Sequence, residues 1–380
     1  MYSVIDYGRM SDPHRFNAYH SALARVISKD SVVVDLGAGT GIFALLAAKL
    51  GARKVYAIEP DPALALARVV ARANSLSAQI EFIQKFSTEV ELPEKADVIV
   101  ADLKGALPMY RGSISSVMDA RDRFLKPGGI LIPQKDRIFV AVVQNEEFYR
   151  GRFDGYLRAR HTGVDWSEAI RMVNHHCGPG RFGAGDLLSK PEAWADIDYT
   201  AVSLDCFERE VDLFVQDPGT AHGLGMWFDS LVWGDIQLTN APEAPPLPYG
   251  KMFFPLPEPV VVEKGDRVRC RLSSRLVGDD YLWQWETEWL NGDGSVRRRF
   301  SQSNLQGNPI DMDRLKRLAP GGRPRLGENG TAALFVLEAF QGEDSIREIS
   351  VRLLDRFPGQ FASLDRALSF VQEMAKMFAR

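Results

Sequence analysis

Apolar and polar positions follow two rhythms along this chain, and the first gives way to the second near residue 133. In the first part, short apolar runs at 32–36, 54–58, 79–84 and 96–101 predict strands, the first of them β-branched and buried on both faces. Between them apolar residues recur every three to four positions over 40–50, 61–75 and 113–125, which predicts helices. Such alternation builds βαβ units around a mostly parallel sheet. After Lys126-Pro127-Gly128-Gly129 the pattern shortens. From about 134 to 300, segments such as 137–143, 211–215 and 281–289 alternate residue by residue, with Pro and Gly between them, as in Ala241-Pro242-Glu243-Ala244-Pro245-Pro246. That is the pattern of an antiparallel β domain, a barrel or a sandwich. One interruption, at about 165–190, reads as partly helical and then glycine-rich. The tail begins with a basic, Pro/Gly-rich linker and ends in three helical patterns. These carry Leu334, Leu337 and Phe340; Ile346, Ile349 and Leu353, with Ser345 as N-cap; and Leu364, Leu368, Val371 and Met374. Three domains are expected: 1–133, 134–305 with a helical arm at about 165–190, and 306–380.

Composition narrows the setting. A hydrophobic content of 45% and a charged content of 25% are ordinary for a globular protein, and 380 residues suffice for several cores. A net charge of -4 argues against a general binder of nucleic acid or anionic membranes. Three cysteines, widely spaced and odd in number, imply no disulfide framework. No apolar run of about 18 residues and no basic-then-apolar start occurs, so a cytoplasmic location is expected, without a membrane span or signal peptide. His175-His176-Cys177 is not taken as a metal site, because adjacent ligands rarely converge on one ion and no partner cluster follows.

The chemistry concentrates at Val32-Val33-Val34-Asp35-Leu36-Gly37-Ala38-Gly39-Thr40-Gly41. Glycines at every second position let the chain turn tightly and let a ligand approach the backbone. A helix then opens toward that ligand with its amides. A dinucleotide fingerprint needs its third glycine one place later, where Ile42 stands. Glu59 ends the second apolar run, where a carboxylate can accept the hydroxyls of a ribose. Asp35, Gly37, Gly39, Gly41 and Glu59 together resemble the signature of class I S-adenosylmethionine (SAM) methyltransferases.

The order of an α/β domain and then a β domain is similar to that of the protein arginine methyltransferases. The likeness runs ungapped or nearly so from Val32 to Pro133 and is strongest at 35–41, 54–59, 89–93 and 120–125. It resumes more weakly from Pro255-Leu256 to Glu263-Lys264-Gly265-Asp266. The resemblance implies a Rossmann-like domain followed by an antiparallel β-barrel, SAM as cofactor, and a dimer made through the 165–190 arm. Upstream, Met10-x-Asp12-x-x-Arg15-x-x-x-Tyr19 resembles the helix that closes over the cofactor, with Arg15 matching the arginine that grips the SAM carboxylate. A guanidinium suits that bidentate task; the bland alternative is a solvated arginine. Met10 is placed near the sulfonium or as apolar filler. Ser87 and Thr88 stand where the family places an acid for the adenine.

The acceptor side departs from the family. Its hairpin carries two glutamates, and the matching residues here are Asp102 and Arg111; its Thr-His-Trp loop is matched by Leu247-Pro248-Tyr249. At ~5 Å and an effective dielectric of about 20, Arg111 would repel a guanidinium by about 3 kcal/mol. An ordinary arginine methyltransferase is therefore not expected, unless Arg111 points to solvent and another acid, such as Glu243, substitutes. Asp102 is the candidate base or orienting carboxylate. Tyr110, Arg111, Lys104 and Tyr249 are candidates to line the acceptor pocket, although two basic residues on a hairpin more often form a solvated face.

The last 50 residues resemble the small winged-helix-like peptide chaperones of pyrroloquinoline quinone biosynthesis, on Asn329-Gly330-Thr331-Ala332 and Ser345-Ile346-Arg347-Glu348-Ile349. That resemblance implies a grip on a leader peptide by strand addition. The expected function is methyl transfer to a peptide or natural-product acceptor, with a ribosomal natural-product precursor among the candidate partners. A genuine arginine N-methyltransferase and a non-catalytic SAM-binding scaffold are the alternatives.

Overall fold

The computed structural model describes residues 8, 12–309, 320–323 and 325–379, in two compact units, 1–308 and 309–380. Met10 and most of the basic linker lie outside the described residues.

The first unit opens with helix α1 (Pro13–Val26). Asp12 caps it by accepting the Arg15 backbone N–H, and Pro13 sits in the first turn, where no N–H is needed. Arg15, Ala18, Tyr19, Ala22 and Leu23 recur at helical spacing and form its buried face. There follow β1 (Val32–Leu36), α2 (Ile42–Lys49), β2 (Lys54–Ile58), α3 (Leu64–Ala73), β3 (Ile80–Ile83), β4 (Ala96–Ala101), α4 (Ser113–Phe124) and β5 (Leu125–Ile132). The five strands form one parallel sheet in the order β3-β2-β1-β4-β5. β1 is buried along its whole length, as its Val-rich run requires. Register is what builds the site: Leu36 pairs with Ile58 on β2 and with Ala101 on β4. The next residues, Gly37, Glu59 and Asp102, therefore emerge side by side at the carboxyl edge, where the strand order reverses. The strand β5, not expected from the sequence, runs through the Lys126-Pro127-Gly128-Gly129 break.

The β region starts with β6 (Lys135–Val143) and continues through α5 (Glu146–Gly151), α6 (Asp154–Ala159), α7 (Ser167–Val173), β7 (Gly178–Gly180), β8 (Glu192–Asp198) and β9 (Cys206–Phe214). It closes with β10 (Gly219–Trp233), β11 (Ile236–Thr239), β12 (Lys251–Val262), β13 (Arg267–Val277), β14 (Asp280–Leu290) and β15 (Val296–Ser303). Two expectations are corrected here. The strands make two separate sheets, β7-β12-β10-β6-β8 with β11 on β10, and β15-β14-β13-β9, not a closed barrel. They bury large rings between them: Phe254 of β12 meets Trp283 and Trp285 of β14 at 5.1 and 5.3 Å. Helix begins at 146, well ahead of the expected 165–190; within that stretch α7 is helical and the rest is mostly turn and short strand.

The second unit holds α8 (Glu328–Ala339), α9 (Ile346–Arg356) and α10 (Leu364–Phe378). Its core comprises Ala332, Val336, Ile349, Leu353, Phe361, Ala367, Val371 and Met374. Ser345 and Glu348 form a reciprocal capping box on α9, so the N-cap expectation holds. On α8 the buried stripe is Ala332 and Val336, whereas the expected Leu334 is 46% exposed. Strand addition to a peptide needs a sheet edge, and the described residues of this unit contain three helices and no strand.

Candidate active site

The glycine turn is fixed by its surroundings. Gly37, Gly39 and Gly41 all have positive φ, at 72°, 53° and 78°. A Cβ at Gly37 would lie 2.1 Å from Leu103 Cδ2, and one at Gly41 would lie 2.6 Å from Ala67 Cβ. Close approach and backbone angle both demand glycine here. Glu59 closes the turn: its carboxylate accepts the Gly39 N–H at 2.9 Å and the Asp61 N–H at 2.8 Å. Asp35 is fully buried and accepts the Ala44 N–H of the first turn of α2 at 2.8 Å. Burial pushes its carboxyl up to about 7, against the pull of the Ala44 N–H. Asp35 thus pins the helix behind the turn. Thr88 is exposed on a short 3-10 turn (Ser87–Glu89), whose Ser87 carbonyl is held by Arg123 Nη2 at 2.7 Å.

Beside this cradle stands a buried polar knot. Arg15 Nε donates to Asp102 Oδ2 at 2.5 Å and to the Tyr249 hydroxyl at 2.9 Å. Tyr249 donates to the same Asp102 oxygen at 2.5 Å, and Tyr19 donates to Oδ1 at 3.0 Å. The Asp102 side chain is 2% exposed. Burial alone would raise its pKa. The Arg15 guanidinium and the Lys104 ammonium, with hydrogen bonds from Tyr249 and Arg15, instead hold it below the usual carboxylate range. The same burial, reinforced by the Asp102 charge, pushes Tyr249 and Tyr19 well above the ordinary phenol value. Burial works to lower Arg15, but Asp102 and the two phenols outweigh it and raise the guanidinium above its normal value. Its carbon lies 4.9 Å over the Phe43 ring. The solvated reading of Arg15 is thereby removed.

Asp102, Tyr249 and Arg15, expected at separate cofactor and acceptor positions, come together in one knot, and Tyr19, a motif residue not assigned to the site from sequence, joins them. Two other expectations change. Lys104 does not face an acceptor: its ammonium is buried, 2.7 Å from Asp136 Oδ1 and 2.8 Å from Ser230 Oγ. Lys104 lies on the loop that follows β4 and finds a carboxylate inside the β region. Arg111 is exposed, in left-handed backbone at φ 43°, with its guanidinium carbon 5.3 Å over the Tyr110 ring. Glu243 is also exposed and lies near Lys251, whose pKa burial lowers against the pull of that glutamate. Tyr110 packs over Gly105, where a Cβ would come within 2.8 Å of its ring. Among the described residues, no group of three or more His, Cys, Asp or Glu is placed to hold a metal ion.

Known proteins match this arrangement. The family model of the ribosomal protein L11 methyltransferase (PrmA) covers residues 20–145. A probable histone-arginine methyltransferase CARM1 of Oryza sativa subsp. indica is 34% identical over 282 residues, covering 69% of this chain and 53% of its own length. Protein arginine N-methyltransferase PRMT10 of Arabidopsis thaliana is 28% identical over 307 residues, covering 69% and 78%. This chain spans little more than half the length of several curated relatives, such as 58% of a probable protein arginine N-methyltransferase 6.1 of Oryza sativa subsp. japonica. Among solved structures, Arabidopsis thaliana protein arginine methyltransferase 10 superposes with a TM-score of 0.71 at 25% identity, over 79% of this chain and 97% of that one. A Trypanosoma brucei PRMT1 enzyme–prozyme complex with AdoHcy gives 0.72 at 25% identity, over 80% and 98%. The matches lend no support to the peptide-chaperone resemblance of the tail. Sheet order, glycine turn and relatives together place this chain among the protein arginine methyltransferase-like, class I SAM-dependent methyltransferases.

Proposed function

We propose that this chain transfers a methyl group from SAM to a peptide or natural-product acceptor, through an acceptor site unlike that of ordinary arginine methyltransferases. The cradle residues fit the cofactor. Each Glu59 oxygen accepts a single backbone N–H, which leaves lone pairs for ribose hydroxyls. Arg15 is a buried guanidinium suited to the cofactor's carboxylate, and the glycine turn admits close approach. When bound, SAM supplies an electrophilic methyl on a sulfonium, so placement of the acceptor carries much of the rate. Asp102 is held ionised in a dry wall, ready to orient an acceptor or take its proton.

The observation that carries the changed acceptor is charge. Arg15 neutralises Asp102, Lys104 neutralises Asp136, and the hairpin position of the family's second acid holds Arg111. A guanidinium acceptor would meet no uncompensated carboxylate there. A second reading, a genuine arginine N-methyltransferase, draws support from the names of the relatives and from Arg111 lying exposed over Tyr110. Labelled SAM offered with Gly-Arg-rich peptide, histone and unrelated peptides separates the two. Methyl incorporation without methylarginine is expected; robust methylarginine would establish the second reading.

Two partner readings go with this function. The 146–173 arm exposes Leu157 at 39% and Val164 at 52%, which supports a twofold homodimer made through it. A monomer by light scattering would remove that reading. The 309–380 unit is offered as the peptide-recognition module. Deleting it should raise KM for a peptide acceptor and leave SAM affinity unchanged; an unchanged KM would make it a bystander.

A further inference from the structure

Outside the cradle and the Asp102 knot, the most enclosed lysine or arginine among the described residues of the first unit is Lys104. It lies two residues beyond Asp102, on the loop that follows β4. Its side chain is 3% exposed and that of Asp136 0%. The ammonium donates to Asp136 Oδ1 at 2.7 Å and to Ser230 Oγ at 2.8 Å, while Asp136 Oδ2 accepts the Tyr199 hydroxyl at 2.6 Å. These partners come from three places in the β region. Asp136 is on β6, directly opposite Ser230 on β10, and Tyr199 follows β8. Sheet pairing therefore presets the receptor for the ammonium, and the lysine arrives from the other domain.

Phe228 connects this bolt to the active site. Lys104 Nζ lies 4.7 Å over its ring, and Tyr249 meets the same ring edge-on at 5.6 Å. Tyr249 in turn donates to Asp102. A second tie holds the same loop, as Asn240 Nδ2 donates to the Ala106 carbonyl at 3.2 Å. Asp102 is thus reached from Lys104 by two routes, two residues of backbone and the Phe228–Tyr249 contact.

We infer that Lys104 is a positioning residue: anchored to Asp136 and Ser230, it fixes the acceptor loop against the β region and so sets where Asp102 stands. The inference rests on the methyl-transfer reading for its consequence on turnover, but the placement itself is independent of it. A merely structural ion pair would tolerate exchange for neutral groups of similar shape. A positioning pair would not, because the loop would lose its fixed point and Asp102 a neighbouring positive charge.

The test uses the full-length protein. K104M/D136N removes both charges together and so leaves no buried ion alone. Asp102 is followed by carboxyl-carbon NMR in selectively labelled protein, assigned with D102N, and turnover is followed with the best acceptor. The double variant is expected to keep SAM affinity within about threefold, to lose at least about tenfold in kcat, and to show Asp102 titrating at higher pH. K104R, which keeps the charge, should recover most of both. If the double variant does not fold, K104Q/D136N, which retains a hydrogen-bonding group at 104 and also leaves no buried ion alone, carries the same measurements. A folded neutral variant with wild-type kcat and an unmoved Asp102 titration would overturn the inference. Should the wild type itself methylate nothing, the methyl-transfer reading fails while the NMR titration still decides the role of Lys104.

Discussion

The cofactor cradle and the acceptor loop lie side by side, yet they are held by different means. The cradle is made of backbone: glycines in left-handed conformation, amides received by Glu59, and a helix pinned by Asp35. Its parts lie within a few residues of strand ends that register aligns. The acceptor loop is held by side chains from afar, with Tyr19 from α1, Asp136 from β6, Ser230 from β10 and Tyr249 from the turn before β12. A site that receives one fixed ligand can be built into the chain's path. The acceptor side that we propose is built instead from replaceable side chains, Asp102 and Arg111 among them.

That contrast can be broken most sharply at Gly37. G37A forces an L residue to φ 72° with its Cβ 2.1 Å from Leu103 Cδ2. We expect a loss of at least about 3 kcal/mol in stability and no measurable heat on adding SAM. Wild-type binding by this variant in calorimetry would show that the turn is not the cradle. Next in size is D102N, which removes the carboxylate charge but keeps the shape. Its kcat should fall by about 100-fold with SAM affinity within about threefold, as steady-state kinetics and calorimetry would read separately. An equal fall in affinity would mean that the two regions are not separable. The smallest effect is expected from D35N. Between about pH 4, where an unfolded aspartate ionises, and about 7, the raised folded value, the native state holds the extra proton, so stability falls as pH rises. Asparagine cannot ionise, so the loss of Tm between pH 5 and 8 should shrink by about 2–4 °C. An unchanged pH profile would show that Asp35 does not titrate in this window.

Much of the cradle was legible in the sequence because its determinants are local. The strands at 32–36, 54–58 and 96–101 match their apolar runs at both ends, since residues buried on both faces must be apolar without interruption. Strand β5 escaped because Lys126-Pro127-Gly128-Gly129 reads as a break. It survives as an edge strand whose register jumps from Leu125 to Ile130, where Pro and Gly need no partner on the free side. The helices ahead of 165 escaped because α5 and α6 have six residues each, too few turns to display a helical period. Alternation along the later strands identifies faces, not closure, so two sheets and a barrel look alike in sequence. At the site, Asp102, Arg15 and Tyr249 were legible through family resemblance. That Lys104 turns inward was not, because Asp136 and Ser230 are distant in sequence and nothing near 104 announces them.

Leu103 against the bare α-carbon of Gly37 has a practical consequence for redesign. The loop that we propose to select the acceptor and the glycine turn share one wall, a single isobutyl group thick. Grafting a foreign hairpin onto this scaffold therefore succeeds or fails first at position 103. A bulkier graft there is expected to press on the Gly37 turn before any new recipient is tested.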